Sequence, residues 1–269
     1  MRTLIVSLLV LAVPSGAAFA SESAEDVITA ARGADIVILG ESHDNPDHHA
    51  LQAQVTQALS PKSIVFEMLE WRHVRALQSV ARDDIDAMQS ATAWEARGWP
   101  DFASYAPIFQ AAPDAVIYAG QLNGRTAATL VQNGLHAVLP KPLMTAGLAA
   151  PLPTTQQHAR EDMQFAAHCD ALPREMLPMM VDIQRLRDAT LTFAALKAFE
   201  KHGGPVVVIA GNGHARPDWG VPAMLSAVAP DLLVLAVGQG EEGQMPEGGF
   251  STTSNAPAPE RTDPCAAFK

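Results

Sequence analysis

The stretch GESHDNPDHH, residues 40–49, crowds Glu41, His43, Asp44, Asp47, His48 and His49 together. Two further polar clusters stand along the chain: FEMLE, with Glu67 and Glu70, and AGNGHAR, with Asn212, His214 and Arg216. Two neutral imidazoles plus carboxylate oxygens suit a divalent ion such as Mn, Co or Zn. The same groups can exchange protons without a metal, since facing carboxylates push their pKa values apart. Glu41, His43, Glu67 and His214 are therefore the candidate set, as metal ligands or as the catalytic groups of a hydrolase. The bland alternative is that His43 and His214 bond nearby carboxylates and only knit loops together. Asn45 can cap a helix with Pro46 at its first position, which puts His48 and His49 in the first turn. A helix dipole disfavours imidazolium there, so both are expected to be neutral, hydrogen-bonding walls.

For these clusters to meet, the chain must bring them to one edge of a sheet. ADIVIL (34–39), SIVFEM (63–68), AVIYAG (115–120), PVVVIAG (205–211) and DLLVLAVG (231–238) are short, β-branched and apolar throughout. Such runs are strands buried on both faces, and they predict an α/β fold with a mainly parallel sheet flanked by helices. The three polar clusters lie at the ends of the first, second and fourth runs. Loops at the carboxyl ends of parallel strands converge on one crevice, so Glu41, His43, Glu67 and His214 are expected to share it. The helix after Asn45 should bury Leu51, Val55, Ala58 and Leu59 and stop at SPKS. From about 150 to 202 the pattern becomes a helical excursion of two helices, the second interrupted near Pro178. Met163, Met176, Met179 and Met180 gather there, either as core filler or as a deformable apolar lid. His73, His136, His158 and His202 stand outside any polar cluster. Residues from about 240 onward turn polar and read as a loose tail.

Composition narrows the setting. The 269 residues, 48% apolar and 17% charged, suffice for one sizeable core. MRTLIVSLLVLAVPSGAAFA has a basic start, a short apolar run and an A-x-A ending, the pattern of a signal peptide cleaved near Ala20. No cysteine follows that run to carry a lipid, and no other stretch is long enough to span a bilayer. The expectation is a periplasmic or secreted protein without a stable membrane anchor in its mature form. A net charge of −11 repels phosphate backbones and argues against a nucleic-acid partner. Cys169 and Cys265 are too far apart for a redox pair and suit an oxidising compartment as one possible disulfide.

Taken in order, ILGESHDNPDHHALQ, FEML, GWPDFASYAPIF, HCDALP, MMVDIQRLRDA, IAGNGHARPDWGVP and DPC resemble the ChaN-like haem-binding proteins of the Tiki/erythromycin-esterase superfamily. The paired G-x-x-H signatures fall on Gly40–His43 and Gly211–His214, and the E-x-x-E element on Glu67–Glu70. The resemblance implies one ChaN-like domain over 21–269 and haem held in a homodimer. One monomer would supply an axial tyrosine, the other the propionate partners, in a role in iron acquisition. A tyrosinate is a hard anionic ligand suited to ferric haem. Tyr105, amid Trp99, Phe102 and Phe109, is the first candidate and Tyr118 the second. Arg187, Arg216 and Lys141 are the candidate propionate partners, with His43, His48, His49 and His214 as further cofactor-facing groups. The same superfamily also contains metal-dependent proteases and lactone-cleaving esterases, which implies the hydrolase alternative. Both cysteines fall in family-like motifs, so a Cys169–Cys265 disulfide is expected to tether the tail.

Overall fold

The computed structural model describes residues 22–263, 265 and 266; the expected signal peptide, residues 1–20, lies outside them. The five apolar runs become β1 (Ile36–Leu39), β2 (Ser63–Phe66), β3 (Val116–Ala119), β4 (Val206–Ile209) and β5 (Val234–Glu241). A sixth strand, β6 (Thr252–Ala256), completes one all-parallel sheet in the order β3-β2-β4-β1-β5-β6.

Strand alternation divides the core in two. Val37, Leu39, Ile64, Phe66, Val207 and Ile209 point to one face. That face is covered by α1 (Ala24–Ala31), α2 (Pro46–Leu59), α3 (Trp71–Leu77), α4 (Ile85–Thr92) and α5 (Phe102–Ala111). Ile36, Ile38, Val65, Val206 and Val208 point to the other face. The chain covers it through α6 (Gly124–Asn133), α7 (Lys141–Thr145), α8 (Thr154–Ala167), α9 (Leu177–His202), α10 (Asn212–Ala215) and α11 (Val221–Val228). Leu191, Ala195 and Ala198 of α9 and Val221 and Leu225 of α11 pack directly on the strands. Outside them, Leu130, Leu143, Leu186 and Met224 form a smaller core that anchors the helical excursion.

Three expectations need correction. Pro178 does not interrupt a helix: it lies in the first turn of α9, where its missing N–H has no intrahelical partner to lose. The polar tail is not loose throughout. β6 pairs with β5 from Val237↔Thr252 to Glu241↔Ala256, with Thr252, Ser254 and Ala256 turned inward. Beyond β6, Arg261 forks between Asp44 and Glu241, and the Cys169–Cys265 disulfide fastens the chain to the end of α8. Third, α2 has the expected cap, with the Asn45 side chain accepting from the N–H groups of Asp47 and His48, and Leu51, Val55 and Leu59 of the expected stripe pack on the core, but Ala58 does not. Val55 is buried, Ala58 is exposed, and the inward face carries His48, His49, Gln52 and Thr56. Packed between the sheet and α5, α2 buries polar groups as well as apolar ones.

Candidate functional site

The strand order places β2, β4 and β1 side by side, so the three polar clusters follow adjacent strands. Close backbone contact explains both signature glycines. The Gly40 N–H donates to the Val237 carbonyl at 2.8 Å, and a Cβ at residue 40 would meet that oxygen at 2.9 Å. The Gly211 N–H donates to Glu67 Oε2 at 2.8 Å, and a Cβ there would sit 3.1 Å from His43 Nε2. Gly211 leaves room for His43 beside Glu67, whereas Gly40 leaves room for the Asn212 side chain and the Val237 carbonyl.

The side chains form a line across the crevice. The Tyr105 hydroxyl donates to Glu41 Oε1 at 2.6 Å, and the same oxygen meets His43 Nδ1 at 2.6 Å. His43 Nε2 faces Glu67 Oε2 at 3.7 Å, while Glu67 Oε1 lies 3.2 Å from His214 Nε2. His214 Nδ1 then reaches Asp188 Oδ1 at 2.6 Å. Glu41, His43, Glu67 and His214 thus come together as expected. Asp188 was not a candidate for the crevice: it projects from α9, far from the clustered motifs, and is 1% exposed. Its one sequence signal is a carboxylate on a helix face otherwise made of Leu191, Thr192 and Ala195.

Burial and charge oppose each other along this line. Desolvation alone would favour neutral groups throughout. For His214 it is outweighed by the Glu67 charge and the Asp188 hydrogen bond, which lift the imidazolium to about 10. His43 is also raised: burial opposes the proton, and Glu41 and Glu67 hold it on. Burial raises Glu67, but the His214 and His43 charges and the Gly211 N–H bring it well below the usual carboxylate range. Glu41 is likewise lowered against its burial by His43, His49 and the Tyr105 hydroxyl. Asp188 is raised, because its complete burial exceeds what His214 returns. The charge separation is therefore centred on Glu67 and His214.

His48 and His49 are neutral, as expected, though burial rather than the helix dipole is the first cause. His48 accepts from the Ser42 N–H at 2.9 Å and donates to the Gly240 carbonyl at 3.1 Å. His49 is lowered to about 4 by burial; it lies against the Tyr105 ring and bonds Ser104 Oγ at 2.9 Å. Both are buried walls.

The metal alternative finds no support in this geometry. Among the described residues, no group of three or more His, Cys, Asp or Glu side chains could hold a metal ion. The four side chains lie in a line rather than around a point, and the ring nitrogens of His43 and His214 face carboxylates.

The other candidates are dispersed. Glu70 caps α3 and pairs with Arg72. Arg216 is buried, bonded to Asp218 through two nitrogens and stacked 3.7 Å over Trp219. Lys141 is exposed at the start of α7. Tyr105 is fully buried, and burial followed by the Glu41 charge keeps its proton firmly on. Tyr118, half-buried on the edge strand β3, lines an apolar hollow of about 370 Å³ with Trp71, Leu122, Phe193 and Lys197. Leu122 also lines a narrow slot of about 90 Å³ that opens onto Glu67, Trp99, Gln121 and Arg187. Arg187 is exposed and pairs with neither Asp182, which bonds Arg185, nor Asp188.

Comparison with known proteins bears on this architecture. The fold resembles a solved structure titled "Cofacial heme binding to ChaN of Campylobacter jejuni", with a TM-score of 0.61 and 19% identity over 80% of this chain and 85% of that one. The type III effector HopBA1 matches with a TM-score of 0.46 and 10% identity, over 90% of this chain and 99% of that one. A comparison with curated proteins finds no match. Residues 27–225, which include the G-x-x-H loops, the slot-lining residues and most of α11, match the profile of the family described as "Haem-binding uptake, Tiki superfamily, ChaN". The chain belongs to that family.

Proposed function

We propose that this chain binds haem, outside the cytoplasm, on the hollow between β3 and α9. The observation that carries the reading is the family match across 27–225. The residues present fit a porphyrin there. Trp71, Leu122 and Phe193 supply an apolar wall, and on α9 the exposed Arg187, with Lys197 once released from Glu200 at 2.6 Å, would supply cations for propionates. A bound haem would bring ferric iron, for which a phenolate is a well-matched ligand.

Tyr118 is the axial candidate in this account, and Tyr105 is not. An axial oxygen must reach iron, and the Tyr105 hydroxyl is spent on Glu41 and the His43 carbonyl inside the core. Tyr118 carries a half-buried phenol at the hollow itself. The slot of about 90 Å³ holds roughly three waters' worth of volume, too little for a macrocycle. The crevice and the haem face are thus neighbours that share Leu122. Two copies meeting at this face would enclose the cofactor, and acquisition of iron or haem is the role that follows.

Titrating haemin into the mature protein tests the reading: a saturable Soret band is expected, and its absence would refute it. A second reading, hydrolysis, is favoured by one observation: the slot opens on Glu67, which stands between the His43 and His214 rings. It predicts ester turnover that His43→Ala abolishes and that chelators leave unchanged.

A further inference from the structure

On the far side of α9, three arginines surround Trp219. Arg216 lies 3.7 Å over the indole ring and is neutralised by Asp218. Arg185, 6% exposed, bonds Asp182 at 3.0 Å and the carbonyls of Leu148 and Ala150 at 2.8 Å. Arg160 differs. It is 7% exposed, lies 5.0 Å from the Trp219 ring, and its guanidinium has neither ion pair nor hydrogen bond among the described residues; its Nε is fully buried and unpartnered. Charges taken this far from water are ordinarily paired. Asp182 pairs with Arg185, Asp218 with Arg216 and Asp188 with His214; the Asp188 and Asp218 charges act on Arg160 from a distance, but no described acceptor bonds its guanidinium.

That charge faces a space. A hollow of about 250 Å³ lies between α8, α9 and α11, lined by Arg160, Arg185, Gln156, Leu152, Trp219 and Met224 among others. It shares no lining residue with the Tyr118 hollow. Its size is below that of a pocket for a drug-sized molecule, so it suits a small ligand or one arm of a larger one. A planar guanidinium, a carboxamide one turn away on α8 and apolar lining, with Asp218 already held by Arg216, match a carboxylate carried on a short apolar body.

We propose that this hollow is a carboxylate-binding site in which Arg160 is the anion partner and Leu152, Trp219 and Met224 receive the apolar part. The carboxylate belongs to a free organic acid, and benzoate serves as the probe. The Arg160 Nε–H resonance of the mature protein reports occupancy directly, and the melting temperature reports linkage.

Benzoate at millimolar concentration should shift that resonance and raise the melting temperature. Inorganic phosphate, lacking an apolar part, should do so less. Arg160→Gln should weaken benzoate binding by about tenfold or more. Arg160→Lys, which keeps the charge without the fork, should weaken it less and covers the case in which the glutamine variant fails to fold. The proposal is overturned if benzoate does not move the resonance, if phosphate binds as tightly as benzoate, or if both variants bind like the parent.

Discussion

At the scale of residues, the line from Tyr105 to Asp188 sets how the protein answers to pH. His214 holds its proton to about 10 in the folded chain against an ordinary 6.5. Its stabilisation is complete below pH 6.5 and is lost as pH rises through about 10. His49 acts in the opposite sense. Burial lowers it to about 4, so stability falls as pH drops from 6.5 toward 4 and the unfolded chain takes up the proton. Urea unfolding followed across pH should show a maximum near 6.5, and His214→Gln should flatten its alkaline limb; an unchanged limb would contradict the assignment. Tyr105→Phe removes one donor from buried Glu41 and should cost about 1–3 kcal/mol of unfolding free energy while leaving the fold intact. The meeting of Glu41, His43, Glu67 and His214 was legible in the sequence, because all four follow strands that the β-branched runs make plain. Asp188 was not, since it is one of three acids in a 26-residue helix far in sequence from the polar clusters, and only its apolar helix face marks it.

At the scale of elements, the tail departs furthest from its composition. TTSNA has too little apolar content to announce a strand, and its place at the sheet edge demands little. β6 exists because β5 runs on through Glu241 and offers it a free edge. The same tail is held at two more points. Arg261 bonds Asp44 and Glu241 at an exposed position, where such pairs contribute little individually. The Cys169–Cys265 bond, 96 residues apart in sequence, is the stronger constraint. In the chain-entropy view a loop of that size is worth up to about 4–5 kcal/mol. Cys265→Ser should lower the unfolding free energy toward that extent in chemical denaturation, and an unchanged midpoint would show that the tail adds nothing. Pro178 was misread for a physical reason: the same residue breaks a helix in its interior and starts one in its first turn, and only the position of Leu177 decides between them.

At the scale of the whole molecule, the account joins an acidic, disulfide-bonded α/β domain to haem captured on one face. Export predicts a mature N-terminus at Ser21 without acylation, which intact-mass measurement of the natively produced protein would check; a retained leader or an added lipid would contradict it. Cofactor shared between copies predicts that haemin converts a monomer to a dimer in sedimentation, with Trp71, 62% exposed beside the hollow, becoming protected. The central claim is that haem is held through Tyr118 while Tyr105 serves the buried line of polar groups. The most direct measurement compares the ferric haemin spectra of the parent, Tyr118→Phe and Tyr105→Phe proteins. The account predicts that Tyr118→Phe loses the phenolate charge-transfer band and shifts the Soret maximum, whereas Tyr105→Phe keeps the parent spectrum. Loss of the band in Tyr105→Phe with a parent-like spectrum in Tyr118→Phe would contradict it.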